Sequence, residues 1–331
     1  AITLPGSLDM KRLLKIVGGL VAVFFVGGTG TYIWASVATA RTLARTFGVH
    51  AVEFPIPFPL SDEERAELDL TEEDAAAMAT NRAVERGQHL VEARYGCTEC
   101  HGSDFSGGVM VDAFPLGRLL GPNLTSGEGS RTLSYTSVDW DRMVRHGVRP
   151  DSRSTAMPSV DFELMSDQEL SDIVAYIETM PPVDNVVPPV TLGPLGKILV
   201  ATGALPLAAD LIERHDADHL EFPPTAEVSI AFGQHLAAVC TGCHTAELAG
   251  GPIPGGDPSW GPAANLTPHA EGLGSWSYDD FVIAMREGRG PDGVALLTPM
   301  DLMVPYATEM TEVEMEALWT YLQSVPPVAS R

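Results

Sequence analysis

The sequence predicts an all-α protein in which one N-terminal transmembrane helix is followed by two homologous helical domains. Three observations support this fold class: a long uncharged apolar run near the N-terminus, helix-capping patterns ahead of several segments, and an internal repeat. The predicted divisions are an anchor (1–40), an extended and acidic helical spacer (41–80), domain 1 (81–185), an interdomain linker (186–226) and domain 2 (227–331).

The apolar run covers residues 16–38 and contains no charge. As a helix it would be about 35 Å long, enough to cross the hydrocarbon core of a bilayer. Three basic residues precede it, which favours a cytoplasmic N-terminus. Residues 38–40 resemble a signal-peptidase site, so a cleavable signal peptide is the alternative, but the run is longer than a usual signal core. We expect a retained anchor, with the rest of the chain exported.

Two further segments follow from composition. Residues 50–60 are rich in proline and aromatic residues and predict a stiff extended spacer, followed by a capping box at Ser61 and Glu64 and a helix to about Arg94. The apolar patch 192–212 in the linker is broken by proline, glycine and charge, so we expect an interdomain contact or a membrane-surface contact there, and no second span.

The four cysteines occur in two Cys-x-x-Cys-His motifs. Such a motif is typical of covalent attachment of c-type haem, with the histidine as an iron ligand. A thioredoxin-like dithiol needs no histidine, and a zinc ribbon rarely separates its cysteine pairs so widely. The sequence therefore predicts two covalently bound haem c groups, attached at Cys97, Cys100, Cys240 and Cys243, with His101 and His244 as iron ligands.

The surroundings of the two motifs also repeat. Gly-Gln-His-Leu occurs at 87–90 and at 233–236, ahead of each motif. Gly-Pro-Asn-Leu-Thr at 121–125 recurs at 261–267 with two inserted alanines, and both halves end in a capped helix followed by Pro-Pro-Val. We therefore predict two homologous helical domains, in which Gly87 and Gly233 let the first helix cross the last one closely.

A second axial ligand is expected for each iron. Met157 and Met300 each lie 56 residues after the histidine of their motif, and a methionine thioether paired with histidine raises the reduction potential. Met303 competes with Met300. His146 and His269 are weaker candidates, because neither has a histidine counterpart in the other half, and we expect both at the surface.

The proximal imidazole of each haem also needs an acceptor for its second N–H, which fixes its tautomer. The carbonyls of Pro122 and Pro262, some twenty residues after each motif, are candidates for this acceptor. The alternative is that each Gly-Pro pair is only a turn.

The charge of the chain limits its partners. With 44 acidic and 20 basic residues among 331, the formal charge is −24, which argues against nucleic acid and favours a basic protein surface. An acidic surface that serves solubility alone is the alternative.

Each half resembles a class I cytochrome c domain, and the whole chain resembles the membrane-anchored dihaem cytochromes c of bacteria. The resemblance covers roughly residues 81–185 and 227–331 and implies the haem ligands His101, Met157, His244 and Met300, with Pro122 and Pro262 contacting the proximal histidines. Asp301 departs from this pattern, because the family often has proline there.

The resemblance implies an electron-transfer protein of the cytoplasmic membrane, with no catalytic residues, whose haem domains lie in the periplasm or otherwise outside the cytoplasm. It would pass single electrons between a membrane donor complex and a terminal acceptor, either an oxidase or a photosynthetic reaction centre. The alternative is an electron-accepting cytochrome subunit of a dehydrogenase complex. A dihaem peroxidase needs an open iron position, which the two matched methionines disfavour, and a purely scaffolding role is a further alternative.

Overall fold

A computed structural model gives the fold for residues 10–253, 256 and 259–330. The first nine residues of the predicted anchor and the final residue of predicted domain 2 lie outside the described residues. The helices are α1 (Met10–Leu43), α2 (Asp62–Glu67), α3 (Glu72–Leu90), α4 (Cys97–His101), α5 (Ser137–Val144), α6 (Asp167–Glu178), α7 (Pro194–Thr202), α8 (Ile230–Ala237), α9 (Thr241–His244), α10 (Tyr278–Glu287), α11 (Val304–Glu309) and α12 (Glu312–Ser324).

Helix α1 is long and apolar enough to cross a membrane, and nearly all of it is exposed. Its C-terminal part packs against α7, where Ala35 and Thr39 are buried. The hydroxyl of Thr39 donates to the carbonyl of Lys197 at 2.7 Å, and the Lys197 ammonium donates to the hydroxyl of Tyr32 at 3.0 Å. The N-terminal half of the apolar patch in the linker therefore packs on the anchor helix. This half of the patch does not make the interdomain contact that the sequence suggested.

The spacer is packed against domain 1 along much of its length. Phe54 and Phe58 are buried in the domain 1 core, so this part of the extended spacer packs on domain 1. The helix predicted from Ser61 to Arg94 is two helices, because Thr71 provides a second N-cap for α3. After α3 the chain makes a π-helical turn, Val91–Tyr95, and enters the first haem motif.

Each domain is built on one close crossing between its first and last helices. In domain 1, α3 crosses α6, and a Cβ on Gly87 would lie 2.0 Å from the carbonyl oxygen of Asp172. In domain 2, α8 crosses α12, and a Cβ on Gly233 would lie 2.0 Å from the carbonyl oxygen of Ala317. The prediction that these two glycines permit close crossings is confirmed.

A small antiparallel sheet joins domain 1 to the linker, with β1 (Gly108–Ala113) and β2 (Gly117–Gly121) in domain 1 and β3 (Thr191–Leu192) in the linker. No sequence pattern predicted this sheet. The hairpin matters for the site because its last residue, Gly121, lies against the first motif: a Cβ there would be 1.8 Å from the Cys100 carbonyl. This contact places residue 122 beside the motif histidine.

Candidate haem sites and the interface between them

The first Cys-x-x-Cys-His motif forms the short helix α4, which starts after Gly96 in the left-handed conformation. One helical turn brings the two cysteines to neighbouring positions, as attachment of one porphyrin through two thioethers requires. The Nδ1–H of His101 donates to the Pro122 carbonyl at 3.1 Å. This bond leaves Nε2 of His101 free to bind iron, and Pro122 makes the contact that the sequence suggested for it.

The second motif differs in its acceptor. The Nδ1–H of His244 donates at 2.7 Å to the carbonyl of Ala264, so the prediction of Pro262 is wrong. The physical reason is the two-residue insertion, which shifts the register: Ala264 precedes Asn265 as Pro122 precedes Asn123. Pro262 lies exposed at the start of the inserted segment.

Burial controls the electrostatics of both motifs. It lowers the pKa of the His101 and His244 imidazoles, against the opposing effect of their carbonyl partners, and so favours the neutral form that binds iron. Burial also raises the pKa of the Cys97 thiol to about 12 and that of Cys240 to about 11. None of the four cysteines is in a disulfide, so both pairs are available for thioether bonds to haem.

The two predicted methionine ligands lie in different surroundings. We call residues 148–157 methionine loop 1 and residues 289–300 methionine loop 2. Met157 packs against the domain 1 core, whereas Met300 begins a 3-10 turn, Met300–Met303, and is half-buried. Met303 is 41% exposed, so the Met300 side chain is the better covered of the two candidates. Ligation by Met157 and Met300 stays a prediction.

A repeated asparagine fixes the segment that carries each proximal carbonyl. The side-chain amide of Asn123 donates to the Val183 carbonyl at 2.8 Å, and that of Asn265 donates to the Val328 carbonyl at 2.7 Å. Both asparagines are buried. The Asn-Leu-Thr and Pro-Pro-Val segments recur together in both halves of the sequence, and this joint recurrence is the signal that could have predicted their contact.

The two domains meet through a reciprocal pair of histidine–carboxylate contacts. Nε2 of His89 in domain 1 lies 2.9 Å from both carboxylate oxygens of Glu314 in domain 2. Nε2 of His235 in domain 2 lies 2.9 Å from both carboxylate oxygens of Glu169 in domain 1. The same pair of positions is used in both directions, His89 with Glu314 and His235 with Glu169, as in an isologous interface.

Arg94 strengthens one of the two contacts. Its guanidinium donates to Glu169 at 2.6 Å and to the His235 carbonyl at 2.7 Å. Burial would raise the pKa of Glu169, but the His235 imidazole and the Arg94 guanidinium outweigh it and hold that pKa at about 2. The Glu169 carboxylate is therefore ionised at neutral pH.

A second reciprocal contact brings each haem motif against the other domain. The Tyr306 ring of domain 2 packs over Gly96, and its hydroxyl donates to Glu99 in α4 at 2.7 Å. The Asp161 carboxylate of domain 1, which follows methionine loop 1, packs against Gly242 in α9. Burial raises the pKa of Asp161 to about 6. Each motif therefore lies at the interface between the domains.

These features test whether two haem c groups fit. Paired cysteines one turn apart, a histidine with Nδ1 engaged, and a methionine that packs on the same core as Cys97 are the donor set of a c-type cytochrome. The fold and the two sites define an electron-transfer cytochrome with two haem domains. The family model for cytochrome c matches residues 84–181 and 230–326. The chain belongs to the cytochrome c family, and it carries two covalent haem c groups.

Curated relatives fall into two kinds. The chain is 29% identical over 275 residues, 76% of its length, to the cytochrome c subunit of an alcohol dehydrogenase (quinone) from Gluconacetobacter polyoxogenes. It is 28% identical over 281 residues to the fructose dehydrogenase cytochrome subunit of Gluconobacter japonicus. The matches span 57% and 55% of those subunits, a little over half their length. A diheme cytochrome c-type protein of Cereibacter sphaeroides is 26% identical over 267 residues, 86% of its length.

Proposed function

We propose that this chain is the electron-accepting cytochrome subunit of a membrane-bound dehydrogenase complex. It takes single electrons from a catalytic subunit and passes them through its two haems to an acceptor in the membrane. Each haem iron supplies a one-electron couple, while the chain holds the iron ligands and excludes water. This proposal adopts the alternative from the sequence, because several of the relatives are dehydrogenase cytochrome subunits.

The observation that carries the proposal is the reciprocal packing of the domains. Each motif helix touches a side chain that follows the predicted methionine of the other domain, Tyr306 on α4 and Asp161 on α9. An electron that enters one domain therefore has a short protein path to the other. Electron relay inside one chain is what an intermediate subunit between a catalytic partner and the membrane has to provide.

The anchor suits the same role. Helix α1 is able to cross a bilayer, and α7 packs on its C-terminal part, which ties domain 1 to the membrane surface. We propose that the N-terminus is cytoplasmic and that the haem domains lie on the extracytoplasmic side, as the basic residues before the apolar run favour. With a formal charge of −24, we propose that the partner presents a basic docking surface.

A second candidate is a self-standing dihaem carrier that delivers electrons from a membrane donor complex to an oxidase or a reaction centre. The observation that favours it is the diheme relative from Cereibacter sphaeroides, which is matched over most of its length. Both candidates share the electron-relay step and differ in the electron donor.

The test is to purify the full chain from its native membrane in mild detergent and to follow the reduced haem band after adding alcohols, sugars or sugar acids. We expect a catalytic subunit to co-purify in fixed stoichiometry and one of these substrates to reduce both haems within seconds. A chain that purifies alone, ignores every substrate and is reduced by a quinol-oxidising membrane fraction would support the second candidate and reject the first.

A further inference from the structure

A second cluster of metal-binding side chains lies away from both haem motifs, at the junction of α5 with the linker. Asp141 in α5, His146 just after it and His219 in the linker bring their ligand atoms within 4.8 Å of one another. Asp141 and His146 are 0% and 1% exposed, and the side chain of His219 is 9% exposed. The expectation that His146 is a surface residue is wrong, because the linker covers it.

From this arrangement we propose that Asp141, His146 and His219 form a structural site for a divalent zinc-class cation that fastens the linker to domain 1. Two imidazole nitrogens and one carboxylate oxygen are a donor set that zinc binds, with a fourth position left for water.

The distances fit such a site. Nε2 of His146 and Nε2 of His219 lie 3.4 Å apart, and they lie 3.8 Å and 4.0 Å from the two carboxylate oxygens of Asp141. Ligands about 2.0–2.2 Å from a tetrahedral zinc ion are separated from one another by about 3.3–3.5 Å. The histidine pair already has this separation. Each imidazole nitrogen lies 3.8–4.0 Å from a different Asp141 oxygen, so the carboxylate has to move closer for one oxygen to bind.

Hydrogen bonds around His146 fix which of its nitrogens is available. Nε2–H of His215 donates to the Ala209 carbonyl at 2.9 Å, since a carbonyl oxygen only accepts. Nδ1 of a neutral His215 is then an acceptor, so Nδ1–H of His146 donates to it at 3.3 Å. The lone pair of His146 is left on Nε2, the nitrogen that faces His219 and Asp141. A second imidazole thus orients the ligand, as outer partners do in metal sites.

Charge balance permits the cation. Arg145 lies beside the site, but its guanidinium is paired with Asp141 at 2.7 Å and with Asp167 at 2.7 Å. Two carboxylates and one guanidinium leave a net negative charge before any cation binds.

A cation at this site would hold two segments of the chain, the spacer and the linker. The backbone N–H of Val52 in the spacer donates to Asp141 at 2.7 Å, and that of His50 donates to the His215 carbonyl at 2.8 Å. The linker residues that follow His219 bond to the start of α6, where the N–H of Asp167 donates to the Leu220 carbonyl at 2.8 Å. The cation would therefore fix the spacer and the linker against domain 1 together.

The experiment uses the full detergent-solubilised protein with both haems in place. It is washed with a strong chelator, given one equivalent of zinc, desalted and analysed for zinc and iron. We expect one zinc per two irons in the wild type, and at least a tenfold loss of zinc in His219→Gln. His269→Gln is the matched control, since His269 is a partly exposed histidine of domain 2, and it should retain the wild-type amount.

Two measurements on the wild type keep the test decisive if His219→Gln fails to fold. X-ray absorption at the zinc edge should show two imidazole ligands and a nitrogen or oxygen shell without sulfur. Trypsin cleavage after Arg214, an exposed residue next to His215, should slow about tenfold when zinc is added, because closing the site lowers the population of the opened linker. Failure to retain zinc, a shell without imidazole, or equal zinc in His219→Gln would each overturn the proposal.

Discussion

Methionine loop 1 is covered by other parts of the chain, whereas methionine loop 2 is open to solvent. In loop 1, the backbone of Arg153 forms an isolated antiparallel β-bridge with Thr46 of the spacer. The hydroxyl of Ser154 accepts a hydrogen bond from the N–H of Ala209 in the linker at 3.1 Å. In loop 2, Val294 and Leu297 are 61% and 74% exposed. Domain 1 is thus enclosed on its methionine side by the spacer and the linker.

The difference suggests a division of labour between domains with the same helical crossing. The open loop leaves the methionine side of domain 2 accessible to a second protein, whereas the spacer and the linker cover that side of domain 1. The linker helix α7, which contacts both α1 and β2, connects domain 1 to the anchor.

The largest effect is expected where the two domains are most alike, at the helix crossings. Gly87→Ala and Gly233→Ala each force a methyl group against a backbone carbonyl, at 2.0 Å in both cases. We expect each to lower the free energy of unfolding by about 3 kcal/mol and to reduce haem incorporation. Denaturant unfolding measures the loss. Gly261→Ala, with nothing near its Cβ position, is the control, and equal stability of all three variants would contradict the account.

The two histidine–carboxylate contacts should differ in strength. Glu169 is buried with Arg94 and His235, so Glu169→Gln should cost about 3 kcal/mol. Glu314→Gln removes a less buried pair with His89 and should cost about 1 kcal/mol.

Thermal unfolding of these two variants measures which contact contributes more to stability. Glu316→Gln is the control, because Glu316 is exposed. Because the pKa of Glu169 is depressed to about 2, its contribution is complete above pH 4.5, the unfolded value, and is lost as pH falls toward 2. Equal losses of unfolding free energy in Glu169→Gln and Glu314→Gln at neutral pH would contradict the expected difference between the two contacts.

The predicted methionine ligands come next. Met157→Leu should lower the reduction potential of the domain 1 haem by on the order of 100 mV, about 2 kcal/mol for one electron. Met300→Leu should do the same in domain 2, while Met303→Leu should leave both potentials unchanged. Redox titration of the haem absorption bands measures this. A shift from Met303→Leu in place of Met300→Leu would reassign the ligand.

The smallest effect concerns pH. The hydrogen bond to Glu314 raises the pKa of His89 against the opposing effect of burial. The pair therefore contributes stability that is complete below pH 6.5, the unfolded value, and is lost as pH rises through the raised pKa. His89→Gln should lower the Tm at pH 6 by an amount equivalent to less than about 1 kcal/mol and leave it unchanged at pH 9. A difference that grows with pH would have the wrong sign.

The haem motifs, the capped last helix of each half and the glycine crossings were predictable from the sequence, because each depends on residues a few positions apart or on a repeat. The predictions that were wrong concerned contacts between residues far apart in the sequence. The carbonyl acceptor of His244 is Ala264 and not Pro262 because the two extra residues lie between Pro262 and Asn265. Residue spacing alone does not show on which side of the acceptor these two residues fall. The burial of His146 under the linker and the pairing of His89 with Glu314 each join segments far apart in sequence.

Glu169 and Glu314 each serve two elements at once. Each carboxylate accepts the backbone N–H of its own N-cap residue, Ser166 or Thr311, at 2.8 Å while it holds an imidazole of the opposite domain. Fraying at the N-terminus of α6 or α12 therefore weakens the contact between the two domains. Separating the domains in turn weakens the N-terminal caps of both helices. The halves of this molecule should melt cooperatively, as one calorimetric unit, although each has a hydrophobic core of its own.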